Sequence, residues 1–254
     1  MDIGFTPDPH TARGQFADLL PAAPAFTRVF AKPGAGLNFR RDVLETLPAG
    51  CLPWYSHKDP VSIADVVQFW KKIPARADGR RTRWTYFHEA APGNDTEREE
   101  YLTYWRALDA ASTLEAPHIE LVQIQSNYAM RWRMDTDWQD WILPMVSIGF
   151  DCYPLVGYRY EPPASMFGLL AYAAAAYRCP SWGVPELGAE PRGGQRRGPW
   201  LVECHDYLKM AGASFCGIWA SQQDRDGLHY DYRLHSGEID AVKLMLKENP
   251  LAPR

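Results

Sequence analysis

The chain lacks long hydrophobic runs, cysteine motifs and any concentration of positive charge. Its 254 residues have a formal net charge of −4, so the sequence has no polycationic signature of a nucleic-acid partner. The five cysteines are scattered without CxxC spacing, which argues against a disulfide framework and against a structural zinc site. The longest apolar run, residues 166–177, is too short to span a bilayer, so we expect no membrane partner.

Targeting and cofactor motifs are missing as well. The N-terminal residues MDIGFTPDP contain neither a basic segment nor an apolar segment, so they do not resemble a signal peptide, and the cellular location stays unknown. No GxGxxG pattern follows the first predicted strand, and no GxxxxGKS or GxxxxGKT pattern occurs, so no nucleotide is indicated. We expect no cofactor and no bound metal. The oligomeric state is not indicated.

Hydrophobic and aromatic residues are abundant and recur in a regular pattern. Hydrophobic residues make up 46% of the chain, enough for a large core, and the ten Trp residues suit core packing or stacking on sugar rings. Short β-type segments alternate with amphipathic helical segments. The predicted strands are 2–5, 26–31, 51–55, 82–87, 119–125, 146–150, 182–184 and 215–219. The predicted helices are 12–20, 39–47, 63–73, 96–111, 138–143, 164–177, 200–211 and 238–247.

Strands that alternate with helices indicate a parallel sheet, because parallel strands need a crossover connection. Eight such units in a chain of 254 residues fit an α/β fold, a single (β/α)8 TIM barrel. We therefore predict one catalytic domain over residues 1–254. A doubly wound open sheet is the alternative, and the missing GxGxxG pattern argues against it.

Two carboxylates stand at predicted strand ends, where barrels of this type place their active sites. Glu89 follows the aromatic fourth strand and Glu186 follows the seventh, with Glu190 as a nearby rival. A carboxylate at the end of a buried strand is costly unless it has a partner or a task. Strands four and seven lie on roughly opposite sides of the ring, so both side chains could approach one bound sugar. Carboxyl groups about 5–5.5 Å apart are typical of retaining glycosidases.

Several short motifs resemble those of glycoside hydrolase family 26 and its clan A relatives. Phe87-His88-Glu89 is similar to the acid/base strand of these enzymes, and residues 184–188 (VPELG) are similar to their nucleophile segment. The other matching segments are Gly93-Asn94, Tyr104-Trp105, residues 149–153 (GFDCY), Trp219 and residues 232–234 (YRL).

The resemblance implies a retaining glycoside hydrolase that cleaves a β-linked polysaccharide or oligosaccharide by double displacement, with carbohydrate as its partner. Glu89 would be the general acid/base and Glu186 the nucleophile. His88 and Tyr153 would be the hydrogen-bonding neighbours of this pair. The residues that would line the sugar subsite are His57, Asn127, Asp151 and Trp219.

Two alternatives stay open. The family usually continues after the His-Glu pair with an amide-bearing or small residue, Gly and Trp, whereas this chain has Ala90-Ala91-Pro92 and short βα loops. Both departures suit a carbohydrate-binding barrel without catalysis. The strand-end residues His10, His57, His88 and Asp151 suit a metal-dependent barrel hydrolase.

Overall fold

Eight parallel strands pair in sequence order and the eighth pairs with the first, so the described part of the chain forms a closed barrel. The structure, a computed structural model, describes residues 1–7, 23–90, 97–132, 138–154, 160–191, 196–225 and 228–250. The strands are β1 (Asp2–Pro7), β2 (Phe26–Phe30), β3 (Leu52–His57), β4 (Thr82–Tyr86), β5 (Ile119–Ser126), β6 (Ser147–Cys152), β7 (Trp182–Leu187) and β8 (Phe215–Ala220). The predicted (β/α)8 TIM barrel is confirmed.

Helices alternate with the strands. They are α1 (Arg41–Leu44), α2 (Ile63–Trp70), α3 (Arg98–Glu115), α4 (Asn127–Trp132), α5 (Pro163–Ala176), α6 (Arg197–Met210) and α7 (Ser236–Glu248), with a 3₁₀ turn at Trp138–Trp141. The predicted helix at 12–20 lies outside the described residues. Among the helices that the structure describes, none is both long enough and apolar enough to cross a membrane.

A two-stranded antiparallel sheet follows β8 and is absent from the predicted elements. It consists of β9 (Gln222–Arg225) and β10 (Leu228–Asp231). The chain returns to the end of β8 directly afterwards, where the Tyr232 N–H donates to the Ser221 carbonyl at 3.0 Å. The small sheet is therefore anchored at the carboxyl-terminal end of the barrel.

The helices of the outer layer form where a local capping residue and a helical spacing of apolar residues favour them. Ser62 caps the first turn of α2 by accepting a hydrogen bond from the Asp65 N–H at 3.1 Å. Tyr101, Trp105 and Leu108 recur at helical spacing on α3, and all three are fully buried in one apolar cluster between helices and sheet. Packing of this kind fixes the strands and leaves their carboxyl ends free to carry function.

Glycines on the strands make room for the aromatic residues inside the barrel. Phe26, Trp54 and Phe215 pack together in the barrel interior. A Cβ at Gly4 would lie 2.1 Å from the Phe26 ring, and one at Gly183 would lie 2.2 Å from the Phe215 carbonyl oxygen. Any side chain at these two positions would displace the interior packing.

A β-bulge interrupts β7 immediately before its end. Between residues 183 and 187, β7 contains one residue more than either neighbouring strand. Pro185 lies in this bulge and has no N–H for the strand ladder. A Cβ at Gly149 would lie 2.9 Å from the Pro185 ring, and one at Gly217 would lie 2.1 Å from the Pro185 carbonyl oxygen. The two glycines thus make room for the bulge, which sets the direction of Glu186.

Candidate active site

Glu186 lies at the end of β7 with both carboxylate oxygens engaged. Its side chain is almost completely buried. Arg28 Nη1 donates to one oxygen at 2.5 Å, and the Tyr153 hydroxyl donates to the other at 2.6 Å. The carboxylate is therefore held in one orientation by two donors from different strand ends.

Arg28, on β2, is the central cation of the site. It is not among the site residues that the sequence predicts. Its guanidinium is fully buried. Nη1 also contacts both oxygens of Asp151 at 3.1 Å, and Nη2 donates to the Ser56 hydroxyl at 3.4 Å. Burial alone would lower the pKa of Arg28, but the charges of Asp151 and Glu186 outweigh it, so the pKa is raised and the cation persists.

The two buried carboxylates share this one guanidinium. Burial is the largest cause of a raised pKa in both Asp151 and Glu186, and the positive charge of Arg28 opposes it in both. The mutual repulsion of Asp151 and Glu186 adds to the rise for Asp151, whose pKa lies well above its usual range. Carboxylates perturbed in this way are typical of functional sites.

Glu89 sits on a tight turn that immediately follows β4. Phe87 has φ +45° and Glu89 has φ +60°, a left-handed conformation that L residues other than Gly, Asn and Asp adopt rarely. The turn is held by the neighbouring strands, since the Phe87 N–H donates to the His57 carbonyl at 2.7 Å and the Glu89 N–H donates to the Ile124 carbonyl at 2.8 Å. Strain that the surroundings hold in place is characteristic of active sites.

The charge of Glu89 acts on the Glu186 cluster. It contributes to the raised pKa of Glu186, Asp151 and Tyr153, after burial in each case. Such an effect requires the Glu89 carboxylate to lie near these groups. Glu89, after β4, and Glu186, at the end of β7, therefore belong to one electrostatic cluster.

His88 is neutral and connects the turn to Arg28 through Ser56. Its Nδ1 lies 3.3 Å from the Ser56 hydroxyl, which also accepts from Arg28. Burial, followed by the charges of Arg28 and Lys58, places the pKa of His88 well below its usual value. Because Ser56 accepts from Arg28, it can donate to Nδ1, which favours the tautomer with the proton on Nε2.

Three residues predicted to line the sugar subsite have buried side chains. The amide of Asn127 donates to the Tyr153 carbonyl at 3.1 Å and accepts from the Tyr153 N–H at 3.4 Å. His57 accepts from the Trp84 indole at 3.2 Å, and its Nδ1 lies 3.0 Å from the Asp59 carbonyl. Burial lowers the pKa of His57 to about 4. Asp151, bound to Arg28, has no exposed surface. Direct sugar contact by these three residues stays a prediction, and their observed contacts support neighbouring groups.

Trp219, at the end of β8, lies on the inner side of the same barrel end. Its ring is edge-on to Phe30 at a centroid distance of 6.0 Å, and Phe30 is in turn edge-on to His88 at 5.4 Å. Among the described residues, the Trp219 indole N–H has no hydrogen-bonding partner. An aromatic row therefore borders the carboxylate cluster, with one unused donor.

A cavity of about 330 Å³ opens beside this row, between the ends of β2, β3 and β4. Phe30, Ser56 and His88 line it near the carboxylate cluster, and Lys32 and Lys58, which follow β2 and β3, also line it. Its volume falls within the range of roughly 300–1,000 Å³ that is typical of small-molecule sites.

The residues proposed as metal ligands of a metal-dependent hydrolase have other partners in this structure where the structure describes them. His10 lies outside the described residues. Both ring nitrogens of His57 have hydrogen-bonding partners, and Asp151 is bound to Arg28. In the part of the chain that the structure describes, the group of residues spaced as metal ligands is His205, Asp206 and Glu248, on α6 and at the end of α7.

Comparison with known proteins identifies the class of fold. No protein-family model and no curated protein matches the chain. A family 26 β-mannanase from Bacteroides ovatus matches in structure with TM-score 0.55 and 15% identity, over 91% of this chain and 80% of that one. A family 128 (subgroup II) endo-β-1,3-glucanase from Sorangium cellulosum matches with TM-score 0.59 and 15% identity over 100% of both chains. An endo-β-1,4-mannanase from Thermotoga petrophila matches with TM-score 0.60 and 10% identity, over 97% of this chain and 76% of that one.

These likenesses define a (β/α)8 barrel whose fold is shared by several glycoside hydrolases. Within that class, the fold resembles that of a family 26 mannanase, the resemblance that the sequence motifs predict. At identities of 10–15% the comparison concerns the fold, and the roles of individual residues depend on the geometry of the site.

Proposed function

We propose that the chain is a retaining glycoside hydrolase that cleaves a β-linked polysaccharide or oligosaccharide. Glu186 is the nucleophile and Glu89 is the general acid/base. The observation that carries the proposal is the position of Glu186, which the bulge of β7 directs toward Arg28 and Tyr153. The activities of the structural neighbours, two mannanases and a glucanase, support a carbohydrate substrate.

In the first step, the Glu186 carboxylate attacks the anomeric carbon and the glycosidic bond breaks. Glu89 donates its proton to the leaving oxygen, so the leaving sugar departs as an alcohol. In the second step, Glu89 takes a proton from water, and the resulting hydroxyl group displaces Glu186 from the sugar. Net retention at the anomeric carbon follows from two displacements.

The surrounding residues have positioning roles in this mechanism. Arg28 and Tyr153 keep Glu186 oriented and favour its ionised form. Asp151 orients Arg28, and Asn127 fixes the backbone of Tyr153. Trp219 supplies an apolar edge and a free indole donor to the bound sugar.

The decisive experiment compares Glu186→Gln and Glu89→Gln with Glu190→Gln on aryl β-glycosides and on mannan and glucan. We expect the first two variants to lose activity by about 10²-fold or more, since each loses a group that acts directly on the substrate. The control Glu190→Gln removes a nearby carboxylate outside the cluster and should leave turnover unchanged. Product of the β anomer, observed by NMR before mutarotation, would establish retention, whereas equal activity in all variants would exclude the proposed pair.

A carbohydrate-binding barrel without catalysis is the second candidate, and the segment Ala90-Ala91-Pro92 after Glu89 favours it, because family 26 usually has an amide-bearing or small residue, Gly and Trp there. This alternative predicts glycan binding by calorimetry with no product after prolonged incubation at any pH, whereas the glycosidase predicts product once Glu186 is ionised.

A further inference from the structure

The cavity beside the catalytic pair is predominantly positive. Lys32 and Lys58 are exposed, and neither forms an ion pair with any residue that the structure describes. The acidic residue of the cavity wall, Asp59, accepts a hydrogen bond from the Gly36 N–H at 3.1 Å. The cavity lining therefore carries two ammonium groups and one carboxylate, and that carboxylate already has a backbone partner.

Lys58 lies close enough to the proposed catalytic residues to affect them electrostatically. Its Nζ lies 5.6 Å from the centroid of the Phe87 ring, in the turn that carries Glu89. Its charge also opposes the rise in the pKa of Glu186 that burial causes. The cavity and the catalytic pair are therefore adjacent parts of one cleft.

The cavity lining also includes apolar groups. Phe30 and Pro33 line the cavity, and Phe30 contacts both His88 and Trp219. An aromatic ring and two ammonium groups in one cavity suit a ligand that has a carbon-rich ring face and a peripheral anion. A neutral ligand would leave the two ammonium groups without a negatively charged partner among the residues that the structure describes.

We propose that this cavity is a subsite for a sugar residue that carries an anionic group, either a carboxylate or a sulfate. The anion binds to the ammonium groups of Lys32 and Lys58, and the ring packs on Phe30. The inference deepens the proposed glycosidase function and rests on it only for the identity of the ligand as a sugar.

Ligand-observed NMR with the full-length protein tests the subsite without requiring turnover. The probes are methyl β-glycosides of glucose, mannose and galactose, each as the C6 alcohol, the C6 carboxylate and the C6 sulfate. We expect the anionic forms to bind more tightly, and we expect Lys32→Gln and Lys58→Gln each to weaken their binding on the order of five- to tenfold. A carboxylate preference assigns a uronic-acid glycan, and a sulfate preference assigns a sulfated glycan.

Lys72→Gln is the matched control, because Lys72 is an exposed lysine just after α2 and away from the cavity. It should leave the affinity for all probes unchanged, and the neutral probes should bind the Lys32 and Lys58 variants as they bind the wild type. Raised salt should weaken only the anionic probes. Equal affinity for neutral and anionic probes in the wild type would overturn the subsite, as would anion binding that survives both lysine substitutions.

Hydrolysis assays separate this inference from the proposed function. If Glu186→Gln abolishes cleavage of neutral glycans while no anionic preference exists, the subsite is wrong and the glycosidase stands. If anionic glycosides bind in a lysine-dependent manner but nothing is cleaved, the subsite stands and the catalytic proposal is wrong.

Discussion

Two arginine–carboxylate clusters lie inside the barrel, one toward each end, and they differ in their electrostatics. The upper cluster, at the carboxyl ends of the strands, consists of Arg28, Asp151 and Glu186. The lower cluster, near the amino ends, consists of Arg83, Asp2 and Glu120. Each centres on one largely buried guanidinium between two carboxylates, and in the lower cluster a second, partly exposed arginine, Arg81, also lies 3.9 Å from Glu120. The two clusters therefore differ in geometry and in their neighbouring groups.

In the lower cluster, the neighbouring groups favour the ionised form of Glu120. Arg83 and Glu120 lie directly opposite each other in the β4–β5 ladder, with Nε 3.1 Å from the carboxylate. Ser147 and Ser181 also donate to Glu120, at 3.0 and 2.6 Å. Burial would raise the pKa of Glu120, but the charges of Arg83 and Arg81 and these two hydroxyls outweigh burial and lower the pKa. An ionised glutamate at this position is structurally favourable.

The upper cluster places like charges together. Asp151 lies directly opposite Glu186 in the β6–β7 ladder, a pairing that is unfavourable between two carboxylates. Arg28 compensates only in part, because the pKa of each carboxylate stays raised by burial. Unfavourable charge arrangements of this kind are typical of functional sites, so the contrast between the two ends supports the proposal that the site lies at the carboxyl end.

Substitution of each arginine in turn should produce the largest changes in stability and the largest difference between the two clusters. Arg28→Met leaves two buried carboxylates without their cation and should lower the free energy of unfolding by about 3–5 kcal/mol. Arg83→Met should lower it by about 1–3 kcal/mol, because Asp2 is partly exposed and Glu120 keeps its serine donors. Urea unfolding of both variants checks this order. An equal loss in both would contradict the claim that the upper cluster depends more strongly on its buried arginine than the lower cluster does.

Much of this architecture is accessible from the sequence. The alternation of apolar segments predicts all eight strands, because each strand is a local pattern. Glu89 and Glu186 follow from the rule that strand ends carry function. Arg28 does not, because it contacts residues 123 and 158 positions away, and a local pattern cannot specify such pairings.

Some missed features nevertheless have local signals. In β2 (FTRVF), Arg28 alternates with Phe26 and Phe30, so it shares the inward face of the strand with two aromatic residues. A charge on an inward face predicts a buried partner. The sheet of β9 and β10 flanks the dipeptide Asp226-Gly227, a sequence that favours hairpins, although polar residues around it obscure the strand pattern.

Neutralising one carboxylate in each cluster should change stability in opposite directions. Because the pKa of Glu120 is lowered, its contribution is present above the usual carboxyl pKa and is lost as pH falls, so Glu120→Gln should lower the free energy of unfolding by about 2 kcal/mol at neutral pH. Because the pKa of Glu186 is raised, the ionised form is unfavourable once pH exceeds the usual value, so Glu186→Gln should preserve or increase stability while it abolishes activity. Thermal unfolding at neutral and acidic pH measures the direction of the stability change in both variants. A destabilised Glu186→Gln variant with full activity would contradict both expectations.

The β7 bulge offers a test that does not alter any charge. A Cβ at Gly149 would press on the Pro185 ring, so Gly149→Ala should lower the free energy of unfolding by about 1–2 kcal/mol and lower kcat by displacing Glu186. Gly237→Ala is the control, since a Cβ there would meet nothing within 4 Å. Kinetics and urea unfolding separate the two effects. Unchanged kcat in a folded Gly149→Ala variant would show that the bulge does not control Glu186.

The smallest expected effect is a change in the pH profile of activity. It tests the repulsion between Asp151 and Glu186. Asp151→Asn removes the negative charge opposite Glu186, while the Asn amide oxygen can still accept from Arg28 Nη1. Glu186 then no longer shares this guanidinium with a carboxylate at position 151, and the loss of the repulsion lowers the pKa of Glu186. Since the nucleophile must be ionised, activity declines as pH falls through this pKa, and the acidic limb of kcat/KM should move to lower pH by up to about one unit. Glu190→Gln should leave the limb in place. A limb that stays fixed or moves to higher pH in Asp151→Asn would show that Asp151 does not act on Glu186 through charge, and the contrast with the lower cluster would then rest on burial alone.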